Sequence, residues 1–377
     1  MATHRHQSSL EGILDFSLQP QLTPSQRTRA RSRFYTIINH LNTPHDSSVS
    51  GSKYNHPLLI RYTYEYARSE VSQDMFLSAF FDSLGVPIDG EEITFGDEER
   101  EGDLRELLVK FADFLLDNFF LPLKAAGQRT QQPSPASLSA IQRAIGGAQE
   151  YAGTPDRLST LRGACLLRDH YRCVISHKFD MREAAKRFKI NDISARDEEG
   201  NILRGQLFDR LEVAHILPHA LMKGREDSQL TAALDILNMF DQGVVRLIEG
   251  TEIDRPFNAI SLSPSLHTSF GNFEVFFEPV QPQSHTYRIQ TFLPEIFPDL
   301  PVTRTLHLSV DHTIDPPLAR LLAIHRAIAC ILHLSAAGEY IDKILQDMED
   351  VGVHGDGSTE VGRLVMLRLG DWVDARC

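Results

Sequence analysis

Histidines spaced among asparagine and carboxylates carry what chemistry this sequence can do. They fall in CLLRDHYRCVISHKFD (165–180), LEVAHILPHAL (211–221) and PFNAISLSPSLHTSFGNFEVFFEP (256–279). The first segment reads as a basic helix running into a strand. The second is an apolar strand that carries His215 and ends in a proline turn. The third starts a strand at Asn258, opens a short helix with Ser263 and Pro264, places His267 on that helix, and closes with another strand. Strand, long loop, strand and short helix is the smallest unit that sets a strand histidine opposite a helix histidine. Such a pair suits phosphodiester hydrolysis, which needs a base for water and a divalent cation against the phosphate charge. His215 suits the base, because imidazole titrates near neutral pH. Asn258 can hold that imidazole, or the turn, through its amide. His267 can ligate the ion.

The elements that must position these residues form an α+β pattern. Residues 1–22 are polar and read as a disordered start. Thr23, Pro24 and Gln26 make a capping box for a helix carrying Arg27, Arg29, Arg31 and Arg33, whose alternation predicts a solvated face. Residues 42–57 read as a loop, and helical stretches follow around 58–84 and 103–120, so 23–124 is a mostly helical N-terminal region. The Gln-, Ser- and Pro-rich stretch 125–139 reads as a linker. Short strands then alternate with short helices across 140–315. Asp315 and Pro316 predict the start of a C-terminal helix spanning 316–350, which carries His325 and His333 without assigned chemistry; the tail is 351–377.

Composition narrows the function classes. The chain has 377 residues, 42% of them hydrophobic, enough for a core, and a formal net charge of −13. That balance disfavours a nucleic-acid binder that uses its whole surface. The charge is uneven, however: Arg157–Ile190 holds nine basic residues against three acidic ones, which predicts a local positive face. None of the four cysteines forms a CxxC pair, and no apolar run reaches membrane-spanning length. With no secretory signal at the start, the expectation is an intracellular protein, nuclear or cytoplasmic, with no membrane partner. Oligomeric state is unspecified.

The order His215, Asn258, His267, the last two nine apart, resembles the HNH endonucleases, and the contexts CLLRDHYRCVIS, EVAHILP, FNAISLSPSLH and SFGNFEVFFEP look closest to the branch common in fungal proteins. The resemblance covers about 165–280. It implies a ββα-metal core flanked by helices and DNA cleavage with one divalent ion, RNA being the alternative substrate. Under it His215 is the general base, Asn258 its positioning residue and His267 the metal ligand. Two positions depart from the family pattern. Ala214 stands where a ligand often precedes the base, and Gly271 where a second ligand often follows the helix histidine. Glu212 and Asn272 are the candidate replacements. So sparse a ligand set fits magnesium first, with manganese or zinc as alternatives, because magnesium keeps several waters. Arg168, Arg172 and Lys178 are candidate phosphate contacts, unless they form the wet face of an amphipathic helix. The rival functions are a catalytically inactive HNH-derived module that binds nucleic acid or protein, and an interaction protein that works through its helical flanks. His219 reads as a loop residue because Pro218 precedes it. His170 and His177 bracket Cys173 too sparsely for a zinc site, so Cys173 is assigned to packing.

Overall fold

The computed structural model describes residues 21–42, 54–91, 95–127, 133–145, 154–222, 228–309, 313–349 and 360–369. Residues 1–20 of the start expected to be disordered (1–22), much of the 42–57 loop, residues 128–132 of the linker and both ends of the tail lie outside the described residues. The fold is α+β, mostly helical with small sheets. Among the described residues no single helix is long and apolar enough to cross a membrane.

The chain divides into two compact units, neither continuous in sequence. One takes 1–123, 224–246 and 330–377; the other takes 124–223 and 247–329. The span 140–315 therefore gives residues 224–246 to the first unit. The reason is aromatic burial, because helix Ser228–Phe240 stacks Phe240 on Phe119 with ring centroids 5.3 Å apart.

The first unit is helical. Helix Pro24–Leu41 starts at Thr23 with the capping box in place. Its Phe34 meets Tyr64, Phe76 and Phe80 at 4.8, 6.3 and 4.9 Å, and Phe111 of helix Glu98–Leu115 closes the cluster. The arginine face is not wholly solvated. Arg33 is buried and donates to the Pro87 and Ile88 carbonyls, and Arg27 pairs with the buried Asp74 at 2.6 Å. Within the tail lies helix Val361–Leu369, where Arg363 reaches Asp113, Asp117 and Tyr340.

The second unit carries the histidine segments. Helix Thr154–Arg168 leads into a turn and a parallel pair of short strands, β1 (Phe179–Asp180) and β2 (Phe208–Asp209). Strand β3 (Glu212–His215) runs antiparallel to β4 (Ala259–Leu262). Leu161 and Cys165 of the long helix pack with Val213 of β3 and Ala259 of β4, so this helix backs the pair. Helix Pro264–Gly271 follows β4, with Pro264 in its first turn; Ser263 is its N-cap but makes no side-chain capping bond. Strands β5 (Val275–Pro279), β6 (Thr286–Thr291) and β7 (Val302–Thr305) form an antiparallel sheet. Asp315 does not cap the next helix, which begins at Ala319, because its carboxylate accepts from Arg255 at 2.7 Å.

Candidate functional site

Register comes first, since it decides which side chains can meet. On the β3–β4 pair Glu212 lies opposite Leu262, and His215 lies opposite Ala259. Beyond His215 the ladder continues through Asn258. Its carbonyl accepts from the Ile216 N–H at 2.8 Å, and its Oδ1 accepts from the Leu217 N–H at 2.9 Å. Its Nδ2 donates to the Leu217 and Ile253 carbonyls, both at 3.0 Å. Fully enclosed, the Asn258 amide thus acts as an extra peptide unit. It fastens the turn after β3 to the 3₁₀ turn Gly250–Asp254. Of the two tasks foreseen for this amide, it performs the second: it holds the turn, not the ring.

That fastening delivers Asp254 to the histidines. Its Oδ1 lies 3.3 Å from His215 Nε2 and 2.8 Å from His219 Nδ1, and its Oδ2 accepts from Arg157 Nε at 3.2 Å. Burial works to raise the Asp254 carboxyl, but the hydrogen bonds and charge of the two imidazoles outweigh it and hold the group well below the usual carboxylate range. Asp254 is therefore an anion, and both facing ring nitrogens donate to it. His215 and Asp254 are sealed in, and the partly exposed His219 gives the group its side toward solvent. The ligand atoms of His215, His219 and Asp254 all lie within 4.8 Å of one another, which makes them a candidate site for a divalent cation. The donor chemistry fits, since two imidazoles and one carboxylate suit zinc and related transition metals. His215 Nδ1 is buried with no hydrogen-bond partner, so its ring is held through Nε2 alone.

His267 has a different partner. Its Nδ1 lies 2.7 Å from Glu212 Oε2, and this hydrogen bond holds the Glu212 carboxyl below its ordinary value despite partial burial. Glu212, one of the expected replacement ligands, does reach the helix histidine. Asn272, the other, ends the helix with its Oδ1 buried and unpartnered and makes no hydrogen bond to His267.

The expectation that His215 and His267 face each other across one cleft is corrected. Glu212 and His215 are three residues apart on β3, about 10 Å along the strand and on opposite faces. His215 turns to Asp254 and His219, while His267 turns to Glu212. The two departures from the family pattern also have structural reasons. Ala214 is a core residue opposite Ile260. Gly271 packs directly on the backbone of Gly127, closer than any real Cβ contact allows, so no ligand side chain can stand there.

The phosphate-contact expectations also change. Arg168 is fully buried; its guanidinium pairs with Asp169 at 2.7 Å and donates to the Pro256, Ala259 and Asp315 carbonyls. It is a structural cation out of reach of phosphate. Arg172 is spent on Asp197, Gln206 and the His177 carbonyl. Lys178 pairs loosely with Asp209 at 3.3 Å and keeps 39% of its side chain exposed. The basic segment is thus largely neutralised from within. Cys173 is buried and accepts from the Ser176 N–H, in keeping with packing.

Sequence reasoning missed Asp254 and passed over His219. The signal for His219 was its position four after His215: a 3₁₀ turn at His219–Met222 brings the rings to 6.1 Å without an α-helix. Asp254 stands four before Asn258 in an ordinary polar turn, and only the Asn258 bonds reveal its place.

Residues 173–278 match the family model described as HNH endonuclease. No curated protein matches the chain. No solved structure matches it either. Strands β3 and β4, the helix that carries His267, and His215, Asn258 and His267 themselves all lie inside the span that matches the HNH endonuclease model.

Proposed function

We propose that the protein hydrolyses phosphodiester bonds of nucleic acid, DNA before RNA, with one divalent cation held by His215, His219 and Asp254. The carrying observation is the convergence of those three donors at the end of β3, inside the family span. A bound cation would neutralise charge on the scissile phosphate and acidify a water. The protein's own part is positional. Asp254 gathers the two imidazoles, whose facing nitrogens would have to give up their protons to ligate the ion; Arg157 holds its second oxygen, and Asn258 fixes the turn that carries it. The nitrogen-rich donor set favours zinc over magnesium or manganese.

The 2.7 Å Glu212–His267 contact favours a second arrangement, with the ion at that pair. Metal titration separates the two. His219→Ala removes one equivalent of bound metal in the first arrangement and none in the second, whereas Glu212→Gln does the reverse. Plasmid nicking with added manganese, magnesium or zinc tests the activity itself. His215→Ala and Asp254→Asn should each remove it while circular dichroism stays unchanged. Nicking equal to the parent in both variants refutes the proposal. Metal uptake without any nicking by the parent would identify the inactive binding module, a reading favoured by the enclosed His215 ring and the internally paired arginines.

A further inference from the structure

A second group of histidines lies outside this site. His170 follows helix Thr154–Arg168, Glu199 sits in the loop between helix Met181–Asn191 and β2, and His307 follows β7. Their ligand atoms also lie within 4.8 Å of one another. The His170 and His307 rings stack with centroids 4.4 Å apart. His170 Nδ1 is buried without a hydrogen-bond partner, and the nearest carboxylate oxygen, Glu199 Oε1, is 3.9 Å away, too far for a hydrogen bond. Two imidazoles and a carboxylate thus gather without bonding one another.

We propose that His170, Glu199 and His307 form a structural transition-metal site, zinc by donor type, separate from the His215 group. The supporting shell is already built. Asn201 Nδ2 donates to Glu199 Oε2 at 3.3 Å and leaves Oε1 facing His170. Asp197 Oδ1 accepts from the Glu199 and Asn201 N–H groups at 3.1 and 2.7 Å, and Arg172 anchors Asp197 Oδ2 at 2.7 Å. Outer hydrogen bonds of this kind orient metal ligands. The backbone adds a second sign. His170 and Tyr171 both have φ of +54°, a left-handed conformation that side-chain-bearing residues rarely hold in succession. An ion there would tie three distant segments together. It would also brace the corner from which Asp169 accepts the Ser261 N–H of β4 at 3.0 Å.

The test uses the full chain, stripped with chelator and titrated with zinc, and with cobalt(II) as a spectroscopic probe. In a His215→Ala/His219→Ala/Glu212→Gln background, one equivalent of metal should still bind, with the visible absorption of nitrogen- and oxygen-ligated cobalt. Adding His170→Ala and His307→Ala should abolish that equivalent. Glu199→Gln, at an exposed position that leaves folding intact, should weaken it at least about tenfold, the loss expected for an orienting or ligating carboxylate. Unchanged stoichiometry and affinity in Glu199→Gln and in the combined variant would overturn the site. Because the readout is metal uptake in a background lacking the first centre, it stands whether or not the chain nicks DNA.

Discussion

Acidification from about pH 7.5 to about pH 5 should cost the site-bearing unit about 2 kcal/mol through His325 alone. His325 is 1% exposed, lies flat on Phe270 at 3.8 Å, and bonds the Phe270 carbonyl through Nε2 at 3.0 Å. It therefore supports the end of the helix that carries His267. Burial pushes its value down to about 3, against only partial compensation from that carbonyl. An unfolded imidazole titrates near about 6.5, so the unfolded chain takes up the proton first. The stabilising contribution is whole above that value and drains away as pH falls toward 3. At about pH 5 the folded group is still neutral while the unfolded one is nearly saturated, so the cost barely depends on the folded value. Urea unfolding followed by circular dichroism measures it, with His325→Phe as the reference. The variant loses one hydrogen bond at every pH but keeps the ring on Phe270 and removes the titration. His177, pushed down to about 4 chiefly by burial, and His307, also lowered, titrate in both chains and cancel in the difference. The parent should lose about 2 kcal/mol more than the variant over this range. Equal losses would refute the reasoning.

Three further outcomes follow from the packing. Gly271→Ala should destabilise by about 1–3 kcal/mol, seen as a lower Tm, because the methyl meets the Gly127 backbone. Arg168→Met should cost about 3–5 kcal/mol by leaving Asp169 charged and buried without its partner, far more than loss of a surface cation. Lys178→Ala should leave stability nearly unchanged and, if DNA binds on that face, lower the salt slope of affinity by about one; an unchanged slope removes Lys178 from the interface.

Much of the local structure was legible because it depends on near neighbours. The Thr23 cap and the Pro264 helix start are short-range patterns, and the His215–Asn258–His267 order is a family pattern with its own spacing. Glu212 was also within reach, since a strand residue two before Ala214 shares its face. What escaped reading depends on pairing across distance. Asp254 meets His215 39 positions away, through bonds that a polar turn does not advertise. Arg168 sits in a basic run that reads as a wet face, yet the carbonyls of Pro256, Ala259 and Asp315 converge on it and enclose it. The glycine at 271 looked like a missing ligand, whereas it marks a place where two backbones touch.

The interleaving of the two units bears on how this protein can be dissected. A fragment cut at 140 and 315 would carry helix Ser228–Phe240 away from Phe119, and an apolar surface meant for a helical neighbour would face water. Trimming by sequence boundaries would thus yield a sticky, aggregation-prone piece. Excising 224–246 and joining the flanks with a short polar bridge respects the way the polypeptide is threaded.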